Sequence, residues 1–257
     1  MTQRRSTHRR RPQPNIIAIL FAMLTFLCLP ALFAFAHAGT VPQTARSNAA
    51  YAAQASGVKA ALAERGLTLG SPVFLQITKE PAALTAYVQD ADGRFQPYRT
   101  WPVCAMSGGL GPKMREGDLQ APEGFYTVKP GQMNPASSFH LSFNLGYPNA
   151  FDRANGRTGS FLMVHGSCVS VGCFAMTDPV IEEIWTLMQA AFEGGQSGVK
   201  VHIFPFPMTE ANMAAQSASA HAAFWQSLKP AWDSFAASGK VPAISVRGGA
   251  YQVRGAQ

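Results

Sequence analysis

The stretch His165-Gly-Ser-Cys-Val-Ser-Val-Gly-Cys173 directly follows residues 160–165, an apolar segment that predicts a buried strand. A thiol becomes nucleophilic as the thiolate, so a cysteine nucleophile needs a nearby base or positive field. His165 lies eight residues before Cys173, and a turn between them can bring the imidazole and the sulfur into contact. This pattern predicts Cys173 as the nucleophile and His165 as the base of an acyl-transfer enzyme.

The residues beside the cysteine extend this prediction. Gly172 permits unusual backbone angles, and the amides of Gly172 and Cys173 are predicted to form an oxyanion hole. Ser170 is predicted either to orient the imidazole or to donate to the oxyanion. The alternative is that Cys173 is only a small buried apolar residue. The combination of histidine, paired glycine and Ser-x-Gly-Cys favours the catalytic interpretation.

The N-terminus resembles an export signal. Five arginines precede an apolar run over residues 16–35, and Ala36-His37-Ala38 is a small-x-small cleavage pattern. Residues 1–38 are therefore predicted to be a signal peptide that directs the protein to the periplasm. An uncleaved anchor is the alternative, because twenty apolar residues can span a bilayer, and membrane attachment is expected only in that case.

The net charge of +7 comes mostly from this segment. Five of the 21 basic residues and none of the 14 acidic residues lie in residues 1–38, so the rest of the 257-residue chain is close to neutral. A basic pI of this origin gives no case for nucleic-acid binding. We predict no nucleic-acid partner.

Three cysteines remain after the signal: Cys104, Cys168 and Cys173. An odd number in an oxidising compartment indicates one disulfide and a free thiol, or no disulfide at all. Together with His165 they form an alternative zinc site, but His-x2-Cys-x4-Cys is not a strong zinc pattern. No metal or other cofactor is predicted.

The remaining chain is predicted to contain both strands and helices. Residues 71–103 contain three strand-like segments with a turn signal at Asp92-Gly93. A helix is predicted from Asp178, which would cap it, with Pro179 in its first turn and an apolar face through Phe192. A strand over residues 199–204 follows.

Both ends of the chain outside this region are predicted to be mainly helical. Residues 45–65 predict a helix whose apolar face is mostly alanine, and we expect it to pack loosely. Two helices are predicted over residues 209–228 and 230–237, followed by a hairpin over residues 244–253 around Gly248-Gly249.

Several separate blocks resemble the YkuD-type L,D-transpeptidases, cysteine enzymes of the bacterial cell wall, and above all their YafK (DpaA) branch. The blocks are Val103-Cys-Ala-Met-Ser-Gly-Gly-Leu-Gly-Pro-Lys113, Glu116-Gly-Asp118, Ala121-Pro-Glu-Gly-Phe-Tyr126, Tyr147-Pro-Asn-Ala-Phe-Asp-Arg153, Met163-Val-His-Gly-Ser-Cys-Val-Ser-Val-Gly-Cys-Phe-Ala-Met-Thr-Asp178, Phe204-Pro-Phe-Pro-Met-Thr-Glu-Ala-Asn-Met213 and Phe224-Trp-Gln-Ser-Leu-Lys-Pro230. In the wider class a second histidine often stands just before Gly-Cys, whereas Val171 stands there in this chain. The similarity covers roughly residues 70–255.

The resemblance implies an α+β fold: a YkuD-like β-sandwich catalytic domain over residues 71–205 with a helical C-terminal extension over residues 206–257. Residues 39–70 would be a partly helical lead-in. A disulfide between Cys104 and Cys168 would leave Cys173 free, and two unpaired buried thiols are the alternative.

The resemblance also implies a substrate. Cys173 would attack the meso-diaminopimelate carbonyl of a peptidoglycan stem peptide and form a thioester. In the YafK branch the implied reaction is hydrolysis of the bond to the C-terminal lysine of a Braun-type lipoprotein, which is then a partner. The alternatives are an L,D-transpeptidase that forms 3-3 cross-links or attaches lipoprotein, and a non-catalytic cell-wall binding module with structural cysteines.

Two further residues are predicted to contact substrate. Arg153 lies within a matching block and suits carboxylates through bidentate pairing, and Gly166 follows the proposed base. Arg157 is expected to be an ordinary surface arginine, and Lys113 is a weaker candidate of the same kind as Arg153.

Overall fold

The computed structural model describes Thr2 and residues 39–255. Apart from Thr2, the predicted export signal at residues 1–38 lies outside the described residues. The strands are β1 (Val73–Lys79), β2 (Ala82–Gln89), β3 (Phe95–Pro102), β4 (Ala105–Met106), β5 (Gly124–Val128), β6 (Met133–Asn134), β7 (Ser142–Asn144), β8 (Met163–His165), β9 (Phe174–Ala175), β10 (Val199–Phe204), β11 (Ala243–Arg247) and β12 (Ala250–Arg254). The helices are α1 (Ala45–Ala63), α2 (Ala150–Ala154), α3 (Asp178–Glu193), α4 (Glu210–Ala215) and α5 (Ala222–Ser238).

The first sheet has the strand order β3-β2-β1-β10-β5, and its β1–β10 pair is parallel. β1 is buried on both faces: Leu75 and Ile77 lie in the main core, whereas Phe74 packs against Phe235 of α5 with ring centroids 4.9 Å apart. Helices and aromatic side chains therefore cover this sheet on both sides.

The second sheet has the order β4-β9-β8-β7-β6 and short strands. Its side chains Phe143, Val164 and Phe174 join the same apolar core as the first sheet. Two mixed sheets that share a core with helices make an α+β fold, so the predicted fold class is confirmed. The parallel β8–β9 pair of this sheet positions the candidate site.

The α1 helix packs more tightly than its sequence predicts. Thr44 forms a capping box with Ser47, and Ala50, Val58 and Leu62 are buried in the core, where α1 contacts α3. The expectation of a loosely packed lead-in was wrong, because Val58 and Leu62 are buried beside Ala50 and anchor the helix to the core.

The N-cap of α3 is Thr177, so the prediction that Asp178 caps it was wrong by one residue. Asp178 is the first helical residue, and its carboxylate accepts a hydrogen bond from the Ser167 amide at 2.7 Å. Pro179 lies in the first turn as predicted.

The C-terminal region differs from the sequence-based prediction in one place. Instead of breaking at Pro230, α5 runs through it, and the break falls at residues 216–221. Burial of Trp225, Leu228 and Ala231 in a second apolar cluster offsets the backbone hydrogen bond that proline removes. The predicted hairpin is confirmed as β11–β12, and Gly248 and Gly249 supply the two positive φ angles that its short turn requires.

Candidate active site

His165 and Cys173 lie at the two ends of one tight loop. His165 ends β8 and Cys173 immediately precedes β9. In this parallel pair Val164 is opposite Phe174 and His165 is opposite Ala175. Side chains alternate along a strand, so Cys173 projects from the same face as Ala175 and therefore as His165. The structure brings the two predicted catalytic residues to one face of one sheet.

Three contacts hold the loop between them. A disulfide joins Cys168 to Cys104, with Cα atoms 5.3 Å apart, which leaves Cys173 as a free thiol. The Ser167 amide donates to Asp178, and the Cys168 amide donates to the Met176 carbonyl at 3.1 Å. A loop tied to the second sheet and to α3 keeps the thiol in place.

The imidazole of His165 is buried and oriented by the main chain. Its Nδ1 lies 2.7 Å from the carbonyl oxygen of Gly166, and the ring of Phe139 lies 4.8 Å away between centroids. Burial lowers the pKa of His165, and the Gly166 carbonyl opposes this shift only in part. The ring is therefore neutral at neutral pH, with Nε2 able to accept a proton.

The thiol of Cys173 is half-buried. Its Sγ accepts a hydrogen bond from the Met163 amide at 3.3 Å and lies 3.7 Å from the Phe161 carbonyl oxygen. Burial raises the pKa of Cys173, while the Met163 amide and the positive charge of Lys113 oppose this shift. At neutral pH the resting site therefore holds a neutral thiol and a neutral imidazole.

Two predicted roles need correction. The Ser170 hydroxyl accepts from the Cys173 amide at 2.9 Å and donates to the Cys173 carbonyl at 2.8 Å, so it shapes its own turn rather than orienting His165. The Gly172 amide donates to the Ser107 hydroxyl at 2.5 Å. Because both amides are already engaged, Gly172 and Cys173 do not form the predicted oxyanion hole in this structure.

The backbone of Gly166 holds the loop in place. It is buried, its amide donates to the carbonyls of Phe139 and Leu141 at 3.1 Å, and its carbonyl orients His165. An added Cβ would lie 2.5 Å from the Asp178 carboxylate, so only glycine fits there. These contacts give Gly166 a positioning role, and its contact with substrate stays a prediction.

The predicted basic candidates lie in different places. Arg157 is buried, pairs with Asp152 at 3.0 Å and stacks over Phe151 and Phe224, so the expectation of a surface arginine was wrong. Arg153 is exposed, donates to the Pro148 carbonyl and lines a cavity that contains neither His165 nor Cys173.

Lys113 is the candidate that acts on the thiol. It is buried and pairs with Asp118 at 2.6 Å. Burial alone would raise the pKa of Asp118, but the Lys113 ammonium and three backbone amides lower it to about 2. A permanent ion pair thus stands within electrostatic reach of Cys173.

Sequence reasoning missed three contributors. Ser107 accepts from Gly172, Met163 donates to the thiol, and Phe139 covers the imidazole. Ser107 and Gly172 are 65 residues apart, and no local pattern signals their contact. Ser107 and Met163 do lie in the blocks that carry the family resemblance.

Several of the large apolar side chains that are exposed among the described residues belong to segments that contact this site. We call the whole exposed set the apolar rim: Met114, Leu119, Phe139, Phe161, Val169 and Val171. Val169 and Val171 lie in the loop itself, the Phe161 carbonyl contacts the thiol, and Leu119 joins the loop through Ser107. Large apolar side chains that remain exposed near a candidate site are available to contact a substrate.

The alternative of a zinc site is excluded because two of its cysteine ligands are not free thiols. Cys104 and Cys168 are consumed by the disulfide, so two of its four ligands are absent. Within residues 39–255, no cluster of three or more histidine, cysteine or acidic side chains is placed to hold a metal. The same part of the chain contains no helix that is both long and apolar enough to cross a membrane.

Known proteins are similar to this chain in sequence. Residues 77–203 match the L,D-transpeptidase catalytic domain family, YkuD. The protein YafK from Escherichia coli, in strains K12 and O157:H7, is 46% identical over 185 residues, which cover 72% of this chain and 75% of YafK.

Solved structures resemble the chain more distantly. The helical cell shape determining protein Pgp2 from Campylobacter jejuni aligns with a TM-score of 0.44 and 24% identity over 69% of this chain and 65% of that one. Bd1075 from Bdellovibrio bacteriovorus aligns with a TM-score of 0.38 and 20% identity over 64% of this chain and 57% of its own. The chain thus spans less than two thirds of the length of either structure.

Proposed function

Because the chain belongs to the YkuD family of L,D-transpeptidases, we propose that Cys173 is its nucleophile and His165 its general base. The substrate group is the meso-diaminopimelate carbonyl of peptidoglycan stem peptides. The observation that carries the proposal is the shared face of the β8–β9 pair, on which a free thiol and an oriented imidazole project together.

Because the Cys173 thiol and the His165 imidazole are both neutral at rest, the proton moves from one to the other during the attack. His165 Nε2 takes the proton of the thiol as Sγ forms a bond to the carbonyl carbon, and the carbonyl oxygen becomes an oxyanion. When the tetrahedral intermediate collapses, the carbon–nitrogen bond breaks and His165 returns the proton to the leaving amine. Attack on the thioester by water then releases the acid and restores the thiol.

We favour hydrolysis of the bond to the C-terminal lysine of a Braun-type lipoprotein. Similarity to the YafK branch supports this choice, and so does the apolar rim. A stem peptide offers few apolar groups beyond alanine methyls, whereas a protein leaving group offers apolar side chains that gain by burial there. An L,D-transpeptidase that uses an amine as acceptor remains the second candidate.

Mass spectrometry of muropeptides distinguishes the candidates. Lipoprotein-linked sacculi are incubated with the wild type and with Cys173→Ala, whose fold is checked by thermal unfolding. Loss of the lysine remnant from diaminopimelate only with the wild type supports hydrolysis, and new diaminopimelate cross-links support transpeptidation. Identical profiles for both proteins would refute an enzymatic role of Cys173 and favour the binding-module alternative.

The proposed location is the periplasm, where the Cys104–Cys168 disulfide forms readily. The predicted signal at residues 1–38 supports this location. N-terminal sequencing of the exported protein tests it: a start at Gly39 indicates cleavage, and an intact N-terminus indicates the membrane anchor.

A further inference from the structure

One cavity lies outside the candidate active site. Its volume is about 930 Å³, and its walls come from the edge strand β5, the adjacent β10 and the β11–β12 hairpin. We call it the hairpin cavity. Neither His165 nor Cys173 lines it, and neither does any member of the apolar rim. Any ligand of this cavity is bound separately from the reacting carbonyl.

The charged residues that line the hairpin cavity are all positive. Arg153, Lys200 and Arg254 line it, and its lining includes no aspartate or glutamate. The neighbouring Asp152 is buried and its charge is neutralised by Arg157 at 3.0 Å. The three cations are therefore not compensated within the cavity, which favours an anionic ligand.

His202 adds a polar atom that lacks a partner. The residue lines the cavity, is only 2% exposed, and its Nδ1 has no hydrogen-bond partner among the described residues. Burial, and to a lesser degree Lys200, lowers the pKa of His202 to about 3, so the ring is neutral at neutral pH. A buried polar atom without a partner is uncommon, so the wall of the cavity holds a polar group that a ligand could satisfy if it displaced the packing around the ring.

Aromatic side chains supply the apolar part of the wall. Phe125 packs against His202 and against Tyr251 of the hairpin, each with ring centroids 4.7 Å apart. The Tyr251 hydroxyl accepts from the Asn149 amide at 3.1 Å. Guanidinium groups beside aromatic rings suit a ligand that combines carboxylates with short aliphatic chains.

We propose that the hairpin cavity binds a second peptidoglycan stem peptide through its carboxylates. This inference rests on the proposed function, because the substrate polymer presents many such peptides side by side. Arg153, Lys200 and Arg254 pair with the carboxylates, and Phe125 and Tyr251 contact the aliphatic carbons. The protein thereby holds the polymer at two points, only one of which is cut.

A binding assay on inactivated protein tests the site. Cys173 is alkylated with iodoacetamide, and the probe is the tripeptide L-Ala-γ-D-Glu-meso-diaminopimelate in titration calorimetry. We expect Lys200→Gln combined with Arg254→Gln to raise the Kd about tenfold, as loss of charge-assisted hydrogen bonds does. Arg247→Gln is the matched control, since it removes a charge from the same hairpin but does not line the cavity.

Further measurements can overturn the proposed second site. A tripeptide whose carboxylates are converted to amides should bind weakly, and equal binding overturns the proposal. So does an unchanged Kd in the double variant, or displacement of the tripeptide by inorganic phosphate at equal concentration. Cleavage of a small soluble substrate by the protein without these substitutions is scored separately. If that protein cleaves the substrate but its alkylated form does not bind the tripeptide, the second site alone is refuted; if it binds the tripeptide but cleaves nothing, the proposed function alone is refuted.

Discussion

The Nδ1 atom of His165 lies 2.7 Å from the carbonyl oxygen of Gly166, and a carbonyl can only accept a hydrogen bond. The proton of the neutral ring is therefore on Nδ1, and the lone pair is on Nε2. In this chain a main-chain carbonyl performs the orienting role that a carboxylate performs in many catalytic triads. An uncharged partner does not stabilise an imidazolium as an aspartate would, which is consistent with a neutral pair at rest.

The neutral pair makes a prediction about pH. The pKa of His165 is lowered and that of Cys173 is raised, so we expect kcat/KM to rise with pH through a pKa below the ordinary histidine value of about 6.5. Without substrate, alkylation of Cys173 by iodoacetamide should increase with an inflection above the ordinary cysteine value of about 8.5.

The variant His165→Gln separates these two effects. We expect it to remove the acid limb of the turnover profile and to lower kcat by about 10²- to 10⁴-fold. Alkylation of its Cys173 should keep an inflection on the alkaline side. Fast alkylation of the wild type that does not change between pH 5 and pH 8 would point instead to a preformed thiolate–imidazolium pair.

A second prediction concerns Lys113, whose charge opposes the upward shift of the Cys173 pKa. Lys113→Met should raise that pKa further and slow alkylation at fixed pH about threefold, because each pH unit changes the thiolate fraction tenfold. Lys113→Arg keeps the charge and the pairing with Asp118, and it should react like the wild type. Equal rates for Met and Arg would show that the ammonium does not act on the thiol.

The sequence predicted the parts of the site that depend on local order. A strand that ends in histidine, a glycine-rich turn and a cysteine are all present between residues 160 and 173, so the placement of His165 and Cys173 followed from the chain itself. The partners of Ser170 and Gly172 did not follow. Each amide had a hydroxyl within reach, one of them from Ser107 on a distant segment, and only the folded structure shows which acceptor it takes.

The disulfide between Cys104 and Cys168 closes a long segment, with a sequence separation of 64. Replacing both with alanine should lower the free energy of unfolding by about 2–5 kcal/mol, because the unfolded chain regains the freedom that the cross-link removes. Thermal unfolding with and without reductant measures this effect. The wild type should lose stability on reduction and the variant should not, and equal midpoints in all four conditions would contradict the expectation.

A buried ion pair supports the loop that carries Ser107. Lys79 and Glu123 lie 3.2 Å apart with both side chains fully buried, and Lys79 also donates to the Gly111 carbonyl at 2.8 Å. The other oxygen of Glu123 accepts from Trp225 of α5 at 2.8 Å. We expect Glu123→Gln to lower the free energy of unfolding by about 3–5 kcal/mol, because it leaves the ammonium of Lys79 without its counter-charge.

A double-mutant cycle in urea measures this coupling. Lys79→Met combined with Glu123→Gln should be more stable than Glu123→Gln alone, since no buried charge is then uncompensated. Lys229→Met is the matched control, because it breaks pairs with Glu210 and Asp233 at the surface and should change the midpoint little. Additive effects of the two core substitutions would refute the coupling.

The fold could be predicted where periodicity is strong and not where tertiary contacts decide. The helix from Asp178 and the hairpin at Gly248-Gly249 followed from spacing and turn residues. Pro230 suggested a break that packing overrides, and Arg157 is buried because Asp152 and two aromatic rings surround it. The carbonyl that orients His165 belongs to the next residue, yet no residue type encodes a backbone acceptor.

The seven residues between His165 and Cys173 must return the chain so that β9 runs parallel to β8, while Asp178 and the disulfide restrain them on either side. The connection is short and restrained at both sides, so we expect an insertion in it to move Cys173 away from His165. The exposed side chains of Leu119, Phe139 and Phe161 lie outside this connection, so we expect new acceptors and leaving groups to be accommodated by changes in those segments.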